Sequence, residues 1–515
     1  MQRMKTNIKN WINDVRGKRT YQRYGEKERR KNRISGQLFS LAVTLAATIY
    51  IGWSYLNAQW QYWYVVIPFL VTETVFFLLF LLWGNVLWAK RHHRPEGPPL
   101  EKKNFSVDIL IPVYREPVEI IEQTVSAAAS ITYDNKKIYV LDDGEDDAVQ
   151  SLCERYHVQY IRRQTHENRK AGNLNHGLTL SSGELVLVLD ADQVARPEII
   201  DRIIGYFSLP KIGFVQTKQV FKLPHGDPWS NSDEVFYGVM MSGKDYDNAA
   251  FSCGSGVLYR RSALESVGGF STWNLVEDVY TSMLMHSNGW RSVYHHESYT
   301  EGTAPDDVVS HTKQRWQWAV DSIRTILWDN PLFKKGLDFY QRLQYFHNGF
   351  HYVVFGIFLP IFFIIPIWAL FSHHFMLREP LWHYIVARTP YFLLYLFSNK
   401  ITTYNLHTFK RFQAQAGLFP VFFSAFFAAL FSRSRLPQYT VTQKSSGHYT
   451  FSSRMSKCLP HIVLILLSVA AVVYGIVTIK DDLWFLVVNI FWASWTVAVL
   501  WRFVELSLYP KSRTQ

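Results

Sequence analysis

Two long apolar runs near the start of the chain, at about Leu38–Leu56 and Tyr64–Trp88, constrain the fold most. Each is long enough to cross a hydrocarbon layer of roughly 30 Å as a helix. Similar runs follow at about Phe350–Phe371, Leu459–Ile479 and Leu483–Trp501. A weaker one, at about Leu381–Phe397, contains His383, Arg388 and Pro390. A lipid-facing helix does not carry such residues, so this run is expected to line something polar. Residues 91–346 contain no spanning run. The expected architecture is a water-exposed domain inserted between about six membrane spans.

The chain has 515 residues, a net charge of +12 and a pI near 9.3. Such charge fits nucleic acid, an anionic membrane surface or anionic substrates. Its placement decides: much of it lies in the first 36 residues, including KERRKNR (27–33), and most of the rest flanks apolar runs. That is a membrane pattern, so membrane lipids are expected partners and nucleic acid is not. Six spans put the basic terminus (1–36), the 91–346 stretch, the basic 400–457 stretch and the PKSR tail on one side. By the positive-inside rule that side is cytoplasmic. A seventh span at 416–432 would export Arg433, Arg435 and Lys444, so 401–432 is expected to lie in the interface. Cys153, Cys253 and Cys458 form no CxxC or Cys/His cluster, which argues against a zinc site or a disulfide framework.

The middle stretch alternates strand and helix patterns. VDILIPVY (107–114), KIYVLDD (137–143), VQYIRR (158–163) and ELVLVLDAD (184–192) are short, apolar and β-branched. Near-continuous apolar strands imply a largely parallel sheet covered on both faces, hence an α/β domain. Ligands bind beyond the carboxyl ends of such strands. Tyr114 to Glu116, Asp142 to Gly144 and Asp190 to Asp192 fall there.

Several short motifs carry chemistry, and each has a plainer reading. The pair Asp190 and Asp192 suits a divalent cation shared with a diphosphate, or is an acidic turn. Asp142 and Asp143 suggest a base and ribose pocket together with IPVYREP, or an acidic turn. Lys170 in RKAGNLNHG (169–177) can meet phosphate, or sits at an Asn-capped helix start. Glu277 and Asp278 begin a helix pattern, where a carboxylate can act as a general base or simply favour the helix N-terminus. Cys253 and Gly254 in FSCGSGVLYRR (251–261) allow close approach of a ligand, or form a turn before a strand. In QRWQW (314–318) a helix sets Gln314 and Trp318 on one face and Arg315 beside Trp318. Indole rings stack on sugar faces, and Arg315 can grip a diphosphate. Membrane-belt tryptophans are the other reading.

Taken together and in order, IPVYREP, DDG, KAGNLN, DAD, VQT (215–217), FSCGS, VED and QRxxW resemble the processive glycosyltransferases of family 2. Bacterial cellulose synthase catalytic subunits are the nearest group, and the resemblance runs over about 38–505. YTVTQK (439–444) is similar to the FxVTxK gating loop of β-glucan synthases. The resemblance implies a glycosyltransferase A-type domain with these boundaries: basic terminus 1–36, membrane helices 37–90, transferase domain 91–311, interfacial helices 312–346, membrane helices 347–400, interfacial helix and loop 401–455, membrane helices 456–505 and tail 506–515.

It also implies roles. Asp142, Asp143, Tyr114 and Glu116 would lie at the nucleotide, and Lys170 at the nucleotide-sugar. Asp190 and Asp192 would hold Mg²⁺ or Mn²⁺ at the diphosphate. Asp278, beside Glu277, would be the base. Cys253, Gly254 and Trp318 would meet the acceptor. Gln314 and Arg315 would sit at the diphosphate, and Thr442 and Lys444 would close over it. The implied activity is an inverting, processive transfer from a UDP-hexose, UDP-glucose above all, to a growing β-linked polysaccharide exported across the plasma membrane. Accessory secretion subunits are further candidate partners. A poly-N-acetylglucosamine synthase and a non-processive transferase to a lipid carrier are the alternatives. Gln317 stands where the family has arginine. The chain stops soon after its last apolar run, so a C-terminal PilZ domain and direct cyclic di-GMP sensing are not expected.

Overall fold

The computed structural model describes residues 26–88, 98, 104–222, 227, 229–231, 234–305, 307–378, 382–403, 408–433 and 449–509. The YTVTQK loop, with Thr442 and Lys444, lies outside the described residues.

The α/β domain is built on eight strands: β1 (Val107–Val113), β2 (Lys136–Asp142), β3 (Gln159–Arg162), β4 (Leu185–Val188), β5 (Val194–Ala195), β6 (Ile212–Lys222), β7 (Val257–Arg260) and β8 (Arg291–Thr303). Their order is β3-β2-β1-β4-β7-β6-β8-β5. The β3-β2-β1-β4 half is parallel, as the apolar runs imply. Strand β7 runs antiparallel to both neighbours, so the sheet is mixed where the sequence showed no clear strand. Every residue of β1 and β4 is buried, because helices cover both faces. These include α3 (Val118–Ala129), α4 (Asp147–Tyr156), α5 (Arg169–Leu180) and α6 (Asp278–Ser287).

The helical part flanks this domain in sequence. Helices α1 (Glu26–Leu56) and α2 (Trp63–Trp88) precede it. Helix α7 (Val308–Trp328) leads out of it, started by Asp307, whose side chain accepts from Val309 N and Ser310 N. Helix α8 (Phe339–Val353) starts with a capping box between Asp338 and Gln341 and continues through Val354–Phe358 into α9 (Leu359–Ser372). Then come α10 (Trp382–Thr402), α11 (Thr408–Ala416), α12 (Phe419–Leu430), α13 (Phe451–Thr478) and α14 (Leu483–Leu508).

Among the described residues, five helices are long and apolar enough to cross a membrane: Arg33–Leu56, Trp60–Val86, Phe339–Ser372, Phe451–Thr478 and Leu483–Leu508. This is a membrane protein. The segment expected in the interface is a pair, Phe409–Ala416 and Phe419–Leu430, bent by 44°. Helix α10 falls outside the five; its Arg388 faces protein, as expected of a run that lines something polar, whereas His383 and Pro390 are exposed. Arg388 pairs with Glu73 of α2 at 2.6 Å, and Glu73 is 2% exposed.

Candidate active site

The carboxyl end of β4 meets the starts of α5 and α6, and their charged side chains converge there. Lys170 Nζ lies 2.7 Å from Asp190 Oδ1 and 3.0 Å from Glu277 Oε1, and donates to Gly254 O at 3.0 Å. Burial alone would lower this ammonium's pKa, but Asp190 and Glu277 carry it well above its ordinary value. Asp278, the first residue of α6, accepts from Val279 N at 2.6 Å. It opens onto a cavity but is otherwise enclosed by protein. Burial, and then the Glu277 carboxylate, push its carboxyl up to about 8, while Lys170 pulls the other way.

Gly254 holds φ of +80°, and a Cβ there would come within 3.2 Å of Asp278 Oδ2 and 3.3 Å of Lys170 Nζ. Only glycine leaves that approach open. Burial likewise pushes the neighbouring Cys253 thiol well up, so it is a neutral wall rather than a nucleophile. Asp192 accepts from Thr303 N at 3.1 Å, which fixes it to the end of β8.

Tyr114 and Glu116, the residues expected at the nucleotide, line the cavity, linked by Tyr114 N donating to Glu116 Oε2 at 2.6 Å. Asp142 and Asp143 part company. Asp142 is buried, and its carboxylate accepts from Gly144 N, Asp146 N and Tyr160 Oη at 2.6, 2.9 and 2.8 Å. It shapes the turn and does not line the cavity. Asp143 does line it, and is gripped by Arg163 through two bonds of 2.6 Å. Arg163 was not singled out from sequence, because nothing beside it marks a ligand site.

Helix α7 presents Gln314, Arg315, Gln317 and Trp318 to the cavity, whereas Trp316 packs against the apolar core. The Arg315 guanidinium lies 4.7 Å over the Trp318 ring. Its buried Nε has no partner among the described residues. Such a donor, oriented by a stacked indole, suits an incoming anion. Sequence reading also passed over Gln216 and Gln219. Gln216 Oε1 accepts from Cys253 N at 2.7 Å, and Gln219 Nε2 donates to Cys253 O at 3.1 Å. The motif VQT (215–217) marks the first.

The cavity holds about 1270 Å³. It runs from Asp190, Asp278 and Trp318 between the membrane helices to Phe80, Arg388 and Trp492. Charged and amide side chains dominate the domain end, and the helical end is lined by many aromatic rings together with Glu73 and Arg388.

This fold and this site define a glycosyltransferase domain of the A-type α/β class. Residues 105–320 match the model of the glycosyltransferase-like family 2, and 269–406 match that of cellulose synthase. More particularly, the chain is similar to bacterial cellulose synthase catalytic subunits. It is 33% identical over 291 residues to the "Cellulose synthase catalytic subunit [UDP-forming]" of Xanthomonas axonopodis pv. citri, covering 54% of this chain and 40% of that one. It is 30% identical over 336 residues to the "Cellulose synthase 1 catalytic subunit [UDP-forming]" of Komagataeibacter xylinus, covering 62% and 45%. The chain thus spans less than half the length of these relatives. Among solved structures, the mannosyltransferase PcManGT of Pyrobaculum calidifontis, in complex with GDP-Man and Mn²⁺, has a TM-score of 0.51 at 16% identity. It covers 72% of this chain and 99% of its own, which supports the shared fold.

Proposed function

We propose that the protein is a processive, inverting glycosyltransferase that polymerises UDP-glucose into a β-linked glucan and passes the product between its membrane helices. The observation that carries this reading is the cavity, continuous from the carboxylate cluster to the aromatic-lined helical end. A transferase to a soluble acceptor has no use for such a path. The relatives' UDP-forming names favour UDP as leaving group. Basic residues at 27–33 and 433–444 favour a cytoplasmic donor side.

Asp278 takes the proton of the acceptor hydroxyl, whose oxygen attacks the anomeric carbon opposite the leaving diphosphate and inverts an α-linked donor to a β-linkage. Tyr114, Glu116 and Asp143 hold the nucleoside, and Lys170 and Arg315 meet the diphosphate. Asp142 acts on the nucleoside indirectly, through the turn it shapes. Asp190 and Asp192 suit a divalent cation: both are hard oxygen donors at one strand end, and Asp190 already attracts the Lys170 ammonium at 2.7 Å. Among the described residues no three or more His, Cys, Asp or Glu side chains are grouped so as to hold a metal ion by themselves, so substrate oxygens would complete the shell. Bound Mg²⁺ or Mn²⁺ would supply Lewis-acid stabilisation of the departing UDP. Asp192→Asn is expected to raise the half-saturating Mn²⁺ concentration by at least about tenfold, measured by UDP release after EDTA treatment. An unchanged metal dependence would remove Asp192 from the ligand set.

Trp318 stacks on the acceptor sugar. Trp318→Ala should lower kcat by roughly 10- to 100-fold through loss of acceptor alignment, with KM for the donor little changed and shorter chains on a sizing gel. Full-length product from this variant would contradict that role. The reading as a whole is tested with membranes containing the protein and labelled UDP-glucose, UDP-GlcNAc or UDP-galactose, with linkage-specific digestion of the product. Polymer from UDP-glucose alone supports it. Polymer from UDP-GlcNAc alone replaces the sugar, and a short glycolipid with no polymer overturns processivity.

A further inference from the structure

We propose that Asp321, together with Arg324 one turn further along α7, is a positioning residue that holds the base Asp278 at a fixed place relative to the acceptor. This rests on the functional reading above. The segment 271–276, which delivers Glu277 and Asp278, has no regular structure, and α6 has no side-chain cap at its first turn. Something else must fix it. Both Asp321 carboxylate oxygens are spent on two consecutive backbone amides of that segment, Leu275 N at 2.9 Å and Val276 N at 2.7 Å. Arg324 donates Nη1 to Trp273 O at 2.7 Å and to Asn274 Oδ1 at 3.1 Å, and lies 4.5 Å over the Trp273 ring. Its Nε donates to Ser432 O at 2.9 Å, which ties the end of α12 to the same point.

A carboxylate and a guanidinium, 6% and 1% exposed, are a costly choice where apolar side chains would pack. Burial pushes the Asp321 carboxyl up to about 7, and the two amides and Arg324 oppose that shift. What the pair supplies, and apolar residues would not, is a set of directed bonds to residues 273–276 in turn. The same helix carries Trp318 and Gln314 about one and two turns earlier. One rigid element therefore sets both the acceptor's stacking partner and the loop bearing its base, which is the geometry proximity catalysis requires.

The test compares Asp321→Asn and Asp321→Ala, each per folded molecule in purified membranes, by UDP release. Asn keeps one acceptor oxygen and turns an amide toward the second N–H; Ala keeps neither. The expected order of kcat is wild type, then Asn lower by about threefold to tenfold, then Ala lower by about tenfold to a hundredfold, with KM for UDP-glucose within about twofold throughout. If Asp321 only supports folding, less protein accumulates while kcat per folded molecule stays at the wild-type value, and the inference is overturned. Should the Ala variant fail to fold, Asn decides alone by the same criterion. If Asp278→Asn is inactive while Asp321→Asn runs at full kcat, only this inference fails. If no sugar donor gives UDP release with the wild type, the functional reading itself fails.

Discussion

Asp278→Asn is expected to lower kcat for UDP release by about two to four orders of magnitude, the span general acid–base catalysis supplies. Donor binding should survive, because the proposed mechanism assigns the donor to Asp190 and Lys170, which pair at 2.7 Å, and only the acceptor hydroxyl to Asp278. The pH dependence follows from the same geometry. A general base works only when ionised. Burial and the like charge of Glu277 push the Asp278 carboxyl up to about 8, so kcat/KM of the wild type should rise with pH, pass half its limit near that value and level off above it. Glu277→Gln removes the like charge that raises it. The acid limb should then move to lower pH, even though the variant also loses an anchor for Lys170. A wild-type rate for Asp278→Asn would remove it as the base. An acid limb that stays in place in Glu277→Gln would mean that burial alone sets the carboxyl's pKa.

What was legible in the sequence was local. Strands β1, β2 and β4 read correctly because their central positions are apolar and buried on both faces. Strand β6 did not, because its buried centre is Gln216, Thr217, Lys218 and Gln219. Those side chains tolerate burial largely through partners distant in sequence, such as Ser255 O for Gln216, Gly256 O for Thr217 and Glu234 for Lys218. The split between Trp316 and Trp318 follows from helix geometry, since two residues turn a helix by about 200° and send the rings to opposite faces. The split between Asp142 and Asp143 depends on where β2 stops, and one residue's shift exchanges their places. Asp321 was silent for a stronger reason. A lone acid in an amphipathic helix reads as a solvated position, and only the loop 46 residues upstream reveals its task.

Arg388→Ala is expected to cost about 3–5 kcal/mol of stability, the cost of leaving one member of a buried ion pair alone. The arginine donates to both oxygens of Glu73 at 2.7 and 2.6 Å, and Tyr50 Oη adds a third bond to Glu73 at 3.0 Å. Its guanidinium lies 4.8, 5.1 and 5.4 Å from the rings of Tyr50, Tyr391 and Trp492. These contacts bind α2, α10, α1 and α14 around one charge pair at the helical end of the cavity. Removing the arginine strands a carboxylate that is 2% exposed and packed among aromatic rings. Membrane accumulation of Arg388→Ala should therefore fall steeply, and Glu73→Ala should do the same. The double variant Glu73→Gln with Arg388→Met leaves no charge behind and should recover most of the lost protein. Near wild-type accumulation of either single variant would show that water reaches the pair through the cavity and screens it. The recovered double variant then separates the pair's two duties. UDP release at the wild-type rate with shortened polymer would mean that the ring of tyrosines around Arg388 guides the product, and full-length polymer would confine the pair to holding the helices together.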